Sequence, residues 1–279
     1  LIWHRGRILA DDALAIGIAD RTFEHGLGLF ETLRTWRGRP VLLTQHRARM
    51  ERSARELGIP FRPNDFPDDA AVVALSEANG FTDDTLLRIT LTGGTSASEG
   101  AELWMRQAPL PPPPRAGGVL IDFGTWNITR DDRLARHKTL NYWSRRLVIQ
   151  SALEAGFDEV LSMSPDGCLW EGSRTNVFFV KADTLFTATT LGPIVPGVMR
   201  AHVGELSGRL GLGFCELNGI PWELLSEAEE VFLTNSVRGI IPVARIRDRA
   251  WPAPGPRTQQ LQQQWLWDRL VEGEGEATQ

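Results

Sequence analysis

Residues 137–176 read HKTLNYWSRRLVIQSALEAGFDEVLSMSPDGCLWEGSRTN. Of the chain's 30 Lys and Arg residues only Lys138 and Lys181 are lysines, and Tyr142 is the single tyrosine. Where a plain positive charge suffices this sequence writes Arg, so a Lys here points to a task for a primary amine. Lys can lose its proton and act as a nucleophile, and Arg cannot. A lone Lys beside His137 is ordinarily just a solvated charge, so the weight falls on the second half of the stretch.

There, EVLSMSPDGCLWEGSRTNVFFV alternates apolar runs with a Pro165-Asp166-Gly167 turn. It reads as a hairpin followed by a further strand, carrying Glu171 near the edge of a sheet. An amine able to form a Schiff base, together with an acid for a pyridine nitrogen, is what pyridoxal phosphate requires of a protein.

Working outward, residues 1–17 suggest a short strand pair, and Leu29 to Trp36 an extended segment after the glycines Gly26 and Gly28, with a turn at Arg37-Gly38. Leu43 to Leu57 has helical apolar spacing and stops at Gly58, with Pro60 beyond. A second helix is expected over Asp68 to Asn79, and TLLRITLTGG as a strand into a glycine turn. From Pro109, PLPPPPRAGG can form neither helix nor central strand and marks a stiff connector. The expected division is a smaller N-terminal α+β domain, residues 1–114, and a larger domain, residues 115–279. In the second, GVLIDFGTW is a strand, Asn141 to Ala155 and Gly197 to Leu210 are helices, and Val160 to Thr187 and Val231 to Thr234 are strands. The acidic tail VEGEGEATQ is expected to be disordered.

At 279 residues, with 42% hydrophobic and 23% charged residues, the chain can bury a sizeable core. A net charge of -5 favours neither nucleic acid nor an anionic membrane. No apolar run of membrane length and no signal-peptide pattern occur, so a cytoplasmic protein is expected. The two cysteines, Cys168 and Cys215, read as free thiols, and the five scattered histidines indicate no metal site.

KTLNY, then EGSRTNVFFV, then VPGVMR, in that order, resemble the fold-type IV (class IV) pyridoxal phosphate enzymes: branched-chain and D-amino acid aminotransferases and aminodeoxychorismate lyases. The resemblance runs from about Ile18 to about Val243. It implies an α+β fold of two domains, the larger with a mixed, barrel-like sheet, a site between them, and a homodimer that supplies part of its wall. It implies pyridoxal 5′-phosphate on Lys138 as an internal aldimine, Glu171 on the pyridinium nitrogen and Tyr142 on the cofactor's phenolic oxygen. Arg49, Ser236 and the helix start at Val198 and Met199 would hold the phosphate. His25, Phe30, Arg88 and Trp126 match positions that line the substrate pocket.

Two features divide the subgroup. TGGTSASEG, with Gly93 and Glu99, lacks the Arg-Gly text of many D-amino acid enzymes and lyases, while TNSVRG is closer to lyases than to branched-chain enzymes. The leading expectation is an aminotransferase exchanging an amino group between an amino acid or amine donor and a 2-oxo acid. The alternative is aminodeoxychorismate lyase, releasing pyruvate to give 4-aminobenzoate.

Overall fold

The computed structural model describes residues 1–124 and 128–274. The chain divides into two compact units, residues 1–112 with 137–141, and residues 113–136 with 142–279. A division at one point along the chain, as the Pro-rich stretch suggested, misses the return of 137–141 to the first unit. That return is made by main-chain pairing, which leaves no composition signal.

The first unit contains β1 (Ile2–His4), β2 (Arg7–Leu9), α1 (Arg21–His25), β3 (Gly28–Trp36), β4 (Arg39–Pro40), α2 (Leu43–Leu57), α3 (Asp69–Ala78), β5 (Thr85–Thr92) and β6 (Leu103–Pro109). Its six strands form an antiparallel sheet in the order β2-β1-β6-β5-β3-β4. Leu33 on β3, Leu87 and Ile89 on β5 and Met105 on β6 share a core with Met50 and Ala54 of α2 and Val72 and Leu75 of α3. Apart from the smaller Ala54, each such side chain contributes about 1.5–3 kcal/mol by leaving water. The helices stop and start as their sequences require: Gly58 adopts φ +64 and donates to the Ala54 carbonyl, and the Asp68 carboxylate caps the Ala71 N–H at 2.8 Å. Pro109, read as the opening of the connector, is instead the last residue of β6, opposite Thr85, an end position that proline tolerates.

The second unit contains β7 (Val119–Gly124), α4 (Trp143–Glu154), β8 (Glu159–Met163), β9 (Cys168–Gly172), β10 (Asn176–Lys181), β11 (Thr184–Ala188), α5 (Val198–Arg209), β12 (Gly213–Leu217), β13 (Ile220–Pro221), α6 (Trp222–Ser226), β14 (Glu230–Asn235), β15 (Gly239–Ile246), β16 (Arg249–Ala250) and α7 (Pro256–Glu274). Its sheet runs β12-β11-β10-β14-β15-β7-β8-β9-β13, and β9 also pairs with β10. That extra pairing closes β10, β14, β15, β7, β8 and β9 into a ring, and the residues that make it are Glu171 and Asn176. Glu171 is therefore not at a sheet edge; it sits 2% exposed where the barrel closes. The sequence indicates the strand that follows the hairpin but not its pairing back onto β9, which is what closes the ring.

The uniformly apolar VFFV of β10 is explained by two cores. Val177 and Phe179 join a core to which each ring strand contributes, while Phe178 and Val180 face a second one with Met199, Val203 and Leu206 of α5 and Leu261 of α7. Phe178 stacks on Phe232 of β14 with centroids 5.0 Å apart. Cys168 and Cys215 are free and half-buried. Helix α7 continues through residues 271–274, the first part of the stretch expected to be disordered, helix propagation costing little once begun; the remainder of that stretch lies outside the described residues.

Candidate active site

In the first unit, the returning stretch lies along the start of β3. The Phe30 N–H donates to the Lys138 carbonyl at 2.9 Å and the Leu140 N–H to the Gly28 carbonyl at 3.0 Å. Gly28 has φ +152, and a Cβ there would lie 2.6 Å from the Leu140 side chain and 2.8 Å from the Leu91 carbonyl oxygen. A glycine is thus required for Lys138 to be carried here. The Lys138 Nζ lies 4.1 Å and the Arg88 Cζ 3.9 Å from the centroid of the buried Phe30 ring, so three residues singled out by sequence meet.

Arg49 belongs to a different group. Its Nε donates to Glu31 Oε1 at 2.8 Å, its Nη2 to Glu31 Oε2, and His46 Nδ1 shares that second oxygen at 2.6 Å. Glu31 and Phe30 are consecutive on β3 and point to opposite faces of the sheet. Burial opposes the Glu31 charge, but Arg49 and His46 outweigh it and hold the carboxyl down to about 2. Burial also lowers the His46 pKa, more than Glu31 raises it, so at neutral pH the imidazole is a neutral donor and Arg49 is the counter-charge.

His25 ends α1 with its side chain 63% exposed, 3.8 Å from Glu24. Trp126 lies outside the described residues. The loop after β5, which lacks the Arg-Gly text, is tied instead by Arg21: its guanidinium donates to the carbonyls of Gly93 at 3.1 Å and Ser96 at 2.7 Å.

In the second unit, the Glu, Gly, Ser and Asn of EGSRTN each have a physical role. Gly172 leaves room for the Thr175 hydroxyl, 2.0 Å from where its Cβ would stand. Ser173 gives its N–H to Glu159 Oε1 at 3.1 Å. Asn176 donates Nδ2 to Glu171 Oε2 at 3.3 Å and to the Val195 carbonyl at 3.1 Å, and the Val195 N–H returns to Glu171 Oε2 at 3.0 Å. Asn176 Oδ1 would be 2.0 Å from a Cβ on Gly197, so the glycine before α5 lets this amide sit against the helix start.

Gly197 has no side chain to cap α5, whose first residues Val198 and Met199 are buried. Uncapped N–H groups and the helix dipole favour an anion there. Thr234, directly across from Asn176 on β14, has a buried hydroxyl without a protein partner. Ser236 is half-buried in the β14–β15 turn. Tyr142, at the start of α4, donates its hydroxyl to the Ser173 carbonyl at 3.2 Å. Arg145 also reaches this segment and pairs with Glu171 Oε1. Sequence reading passed over Asn176, Val195 and Arg145. The Asn of EGSRTN was visible as a motif letter, whereas a helix arginine among 30 basic residues gave no signal.

A two-unit α+β fold with a closed six-stranded barrel in the second unit defines the architectural class. Residues 28–246 match the amino-transferase class IV family, and the chain belongs to it. It is 30% identical to the D-alanine aminotransferase of Bacillus licheniformis, covering 94% of each chain. It is 29% identical to the aminodeoxychorismate lyase of Bacillus subtilis, covering 89% of this chain and 87% of that one. The solved branched-chain aminotransferase of Thermoproteus uzoniensis superposes with a TM-score of 0.86 at 25% identity, covering 98% of this chain and 96% of that one. Among the described residues no helix is long and apolar enough to cross a membrane.

The Glu31 pair makes stability pH-dependent in a definite direction. A depressed carboxyl stabilises above its ordinary pKa, and that stability drains as pH falls from near 4.5 toward about 2. Glu31→Gln is expected to cost about 3 kcal/mol at neutral pH, leaving Arg49 buried without its carboxylate, and to flatten the loss in that acid window. Urea unfolding from pH 7 to 2.5 measures both; a variant with wild-type midpoints throughout contradicts the assignment.

Proposed function

We propose that the chain is a pyridoxal 5′-phosphate-dependent aminotransferase acting between an amino acid or amine donor and a 2-oxo acid. The observation that carries this reading is the buried Glu171 carboxylate, held by Val195 and Asn176 and joined through Asn176 to the uncapped start of α5. An acid and an anion-binding helix end on one rigid frame fit a cofactor with a basic ring nitrogen and a phosphate. The unpartnered Thr234 hydroxyl across from Asn176 supports the same fit.

When bound, pyridoxal 5′-phosphate supplies an aldehyde that exchanges nitrogen and a ring that accepts the electron pair of the ionising α C–H bond. The chain's residues do the rest. Lys138 holds the cofactor through Nζ and moves the proton to and from the substrate α carbon, with the Phe30 ring supporting its side chain. Glu171 holds a proton at the ring nitrogen. The N–H groups of Val198 and Met199, with Ser236 and Arg49, bind the phosphate; Glu31 and His46 fix the orientation of Arg49. Tyr142 serves the phenolic oxygen, Arg88 the substrate carboxylate, and Phe30 the pocket wall.

The similarity to the B. subtilis lyase, close to that of the aminotransferase relative, supports aminodeoxychorismate lyase as the second reading. Purified protein is expected to be yellow and to lose its aldehyde-type absorbance on adding an amino donor, a 2-oxo acid restoring it. Lys138→Ala is expected to lose the colour and at least a thousandfold of the rate. A coloured alanine variant refutes the lysine's role, and release of pyruvate from aminodeoxychorismate without any donor response assigns the lyase instead.

The chain also carries apolar surface that a second copy would cover. Ile18 is 89% exposed in the first unit; in the second, Trp143 at 73% and Leu147 at 57% are one turn apart on α4. Sedimentation is expected to give a homodimer that Trp143→Glu with Leu147→Glu weakens at least tenfold; a wild-type monomer at micromolar concentration contradicts it.

A further inference from the structure

A buried cation stands beside Glu171 that this reading does not use. Arg145, in the first turn of α4, donates Nη2 to Glu171 Oε1 and Nη1 to the carbonyls of Gly172 at 3.3 Å and Ser173 at 3.5 Å. Its side chain is only 12% exposed. The position is costly on two counts: a cation in the first turn of a helix opposes the dipole, and a guanidinium must be desolvated. Glu171 does not need it for want of donors, because Val195 and Asn176 already hold Oε2.

We propose that Arg145 is a positioning residue that sets the proton affinity of Glu171 and, through it, of the cofactor's ring nitrogen. The inference rests on the reading of Glu171 as the ring-nitrogen partner. A buried carboxylate facing a pyridine nitrogen shares one proton with it. A permanent cation bonded to the carboxylate keeps that carboxylate ionised, which directs the shared proton to nitrogen. Loss of that proton turns the neutral pair into one of net negative charge, which the same cation stabilises, so the proton leaves at a lower pH than it would beside a neutral residue.

Other ionisable groups that act on Arg145 include Tyr142, at the start of its own helix, and Glu159 on β8. Burial opposes the arginine's charge, but Glu171 leads these groups in raising its pKa, so it stays charged throughout the working range. Glu159 is itself engaged by Ser173 and Thr175 and lies 3.8 Å from Arg174 Nε, which offsets its influence.

The test is the ring-nitrogen signal of holoprotein reconstituted with ring-15N pyridoxal 5′-phosphate, followed against pH by NMR. Arg145→Leu is expected to raise the midpoint for loss of the ring proton by about one to two pH units. Arg145→Lys, which keeps the charge, is expected to stay within about half a unit of wild type. Arg145→Gln, neutral but able to hydrogen-bond, is expected to follow the leucine variant and replaces it if that variant does not fold. Neutral variants that titrate with wild type, while Glu171→Gln abolishes ring protonation, overturn the role of Arg145 and leave that of Glu171 standing. A Glu171→Gln signal identical to wild type overturns both.

Discussion

One pairing organises the second unit: Glu171 opposite Asn176, where β9 meets β10 and the barrel closes. Closing a sheet removes its edges, and here it also places a carboxylate where water is excluded. An ionised Glu in such a place is tolerated only with donors on its oxygens. They come from three separate parts of the chain: Arg145 of α4, Asn176 of β10 and the Val195 main chain before α5. Because the Asn176 amide also touches the Val195 carbonyl and the Gly197 backbone, the acid and the helix start are fixed with respect to each other. A cofactor with a basic nitrogen at one end and a phosphate at another requires that fixed spacing.

The first unit solves a related problem with a different arrangement. Glu31, Arg49 and His46 form a buried group behind the sheet, where Arg49 supplies the charge and neutral His46 a hydrogen bond. On the opposite face Phe30 receives the cations of Lys138 and Arg88. Alternation along a single strand thus separates a group that fixes an arginine from a surface that carries an amine.

Local chemistry made much of this legible in the sequence. Helix α2 starts and stops where the apolar spacing and Gly58 indicate, the Pro165-Asp166-Gly167 turn joins β8 to β9, and Lys138 and Glu171 could be singled out by residue type within ordered motifs. What escaped depends on distant partners. Glu171 reads as an edge residue because nothing local shows that the strand after its hairpin pairs back onto β9 and closes the ring. The return of 137–141 to β3 is main-chain pairing enabled by Gly28, and Arg145 and Arg21 look like any of the chain's many arginines until their partners are known. Those two arginines bind carboxylate and carbonyl groups in sites that composition alone cannot distinguish from solvent.

The most direct measurement is a crystal structure of the pyridoxal 5′-phosphate-loaded protein. The ring nitrogen is expected within hydrogen-bond distance of the Glu171 carboxylate and the phosphate on the N–H groups of Val198 and Met199, with the Asn176 amide still bridging Glu171 and Val195. A ring nitrogen directed away from Glu171, or a phosphate bound elsewhere than the start of α5, would contradict it.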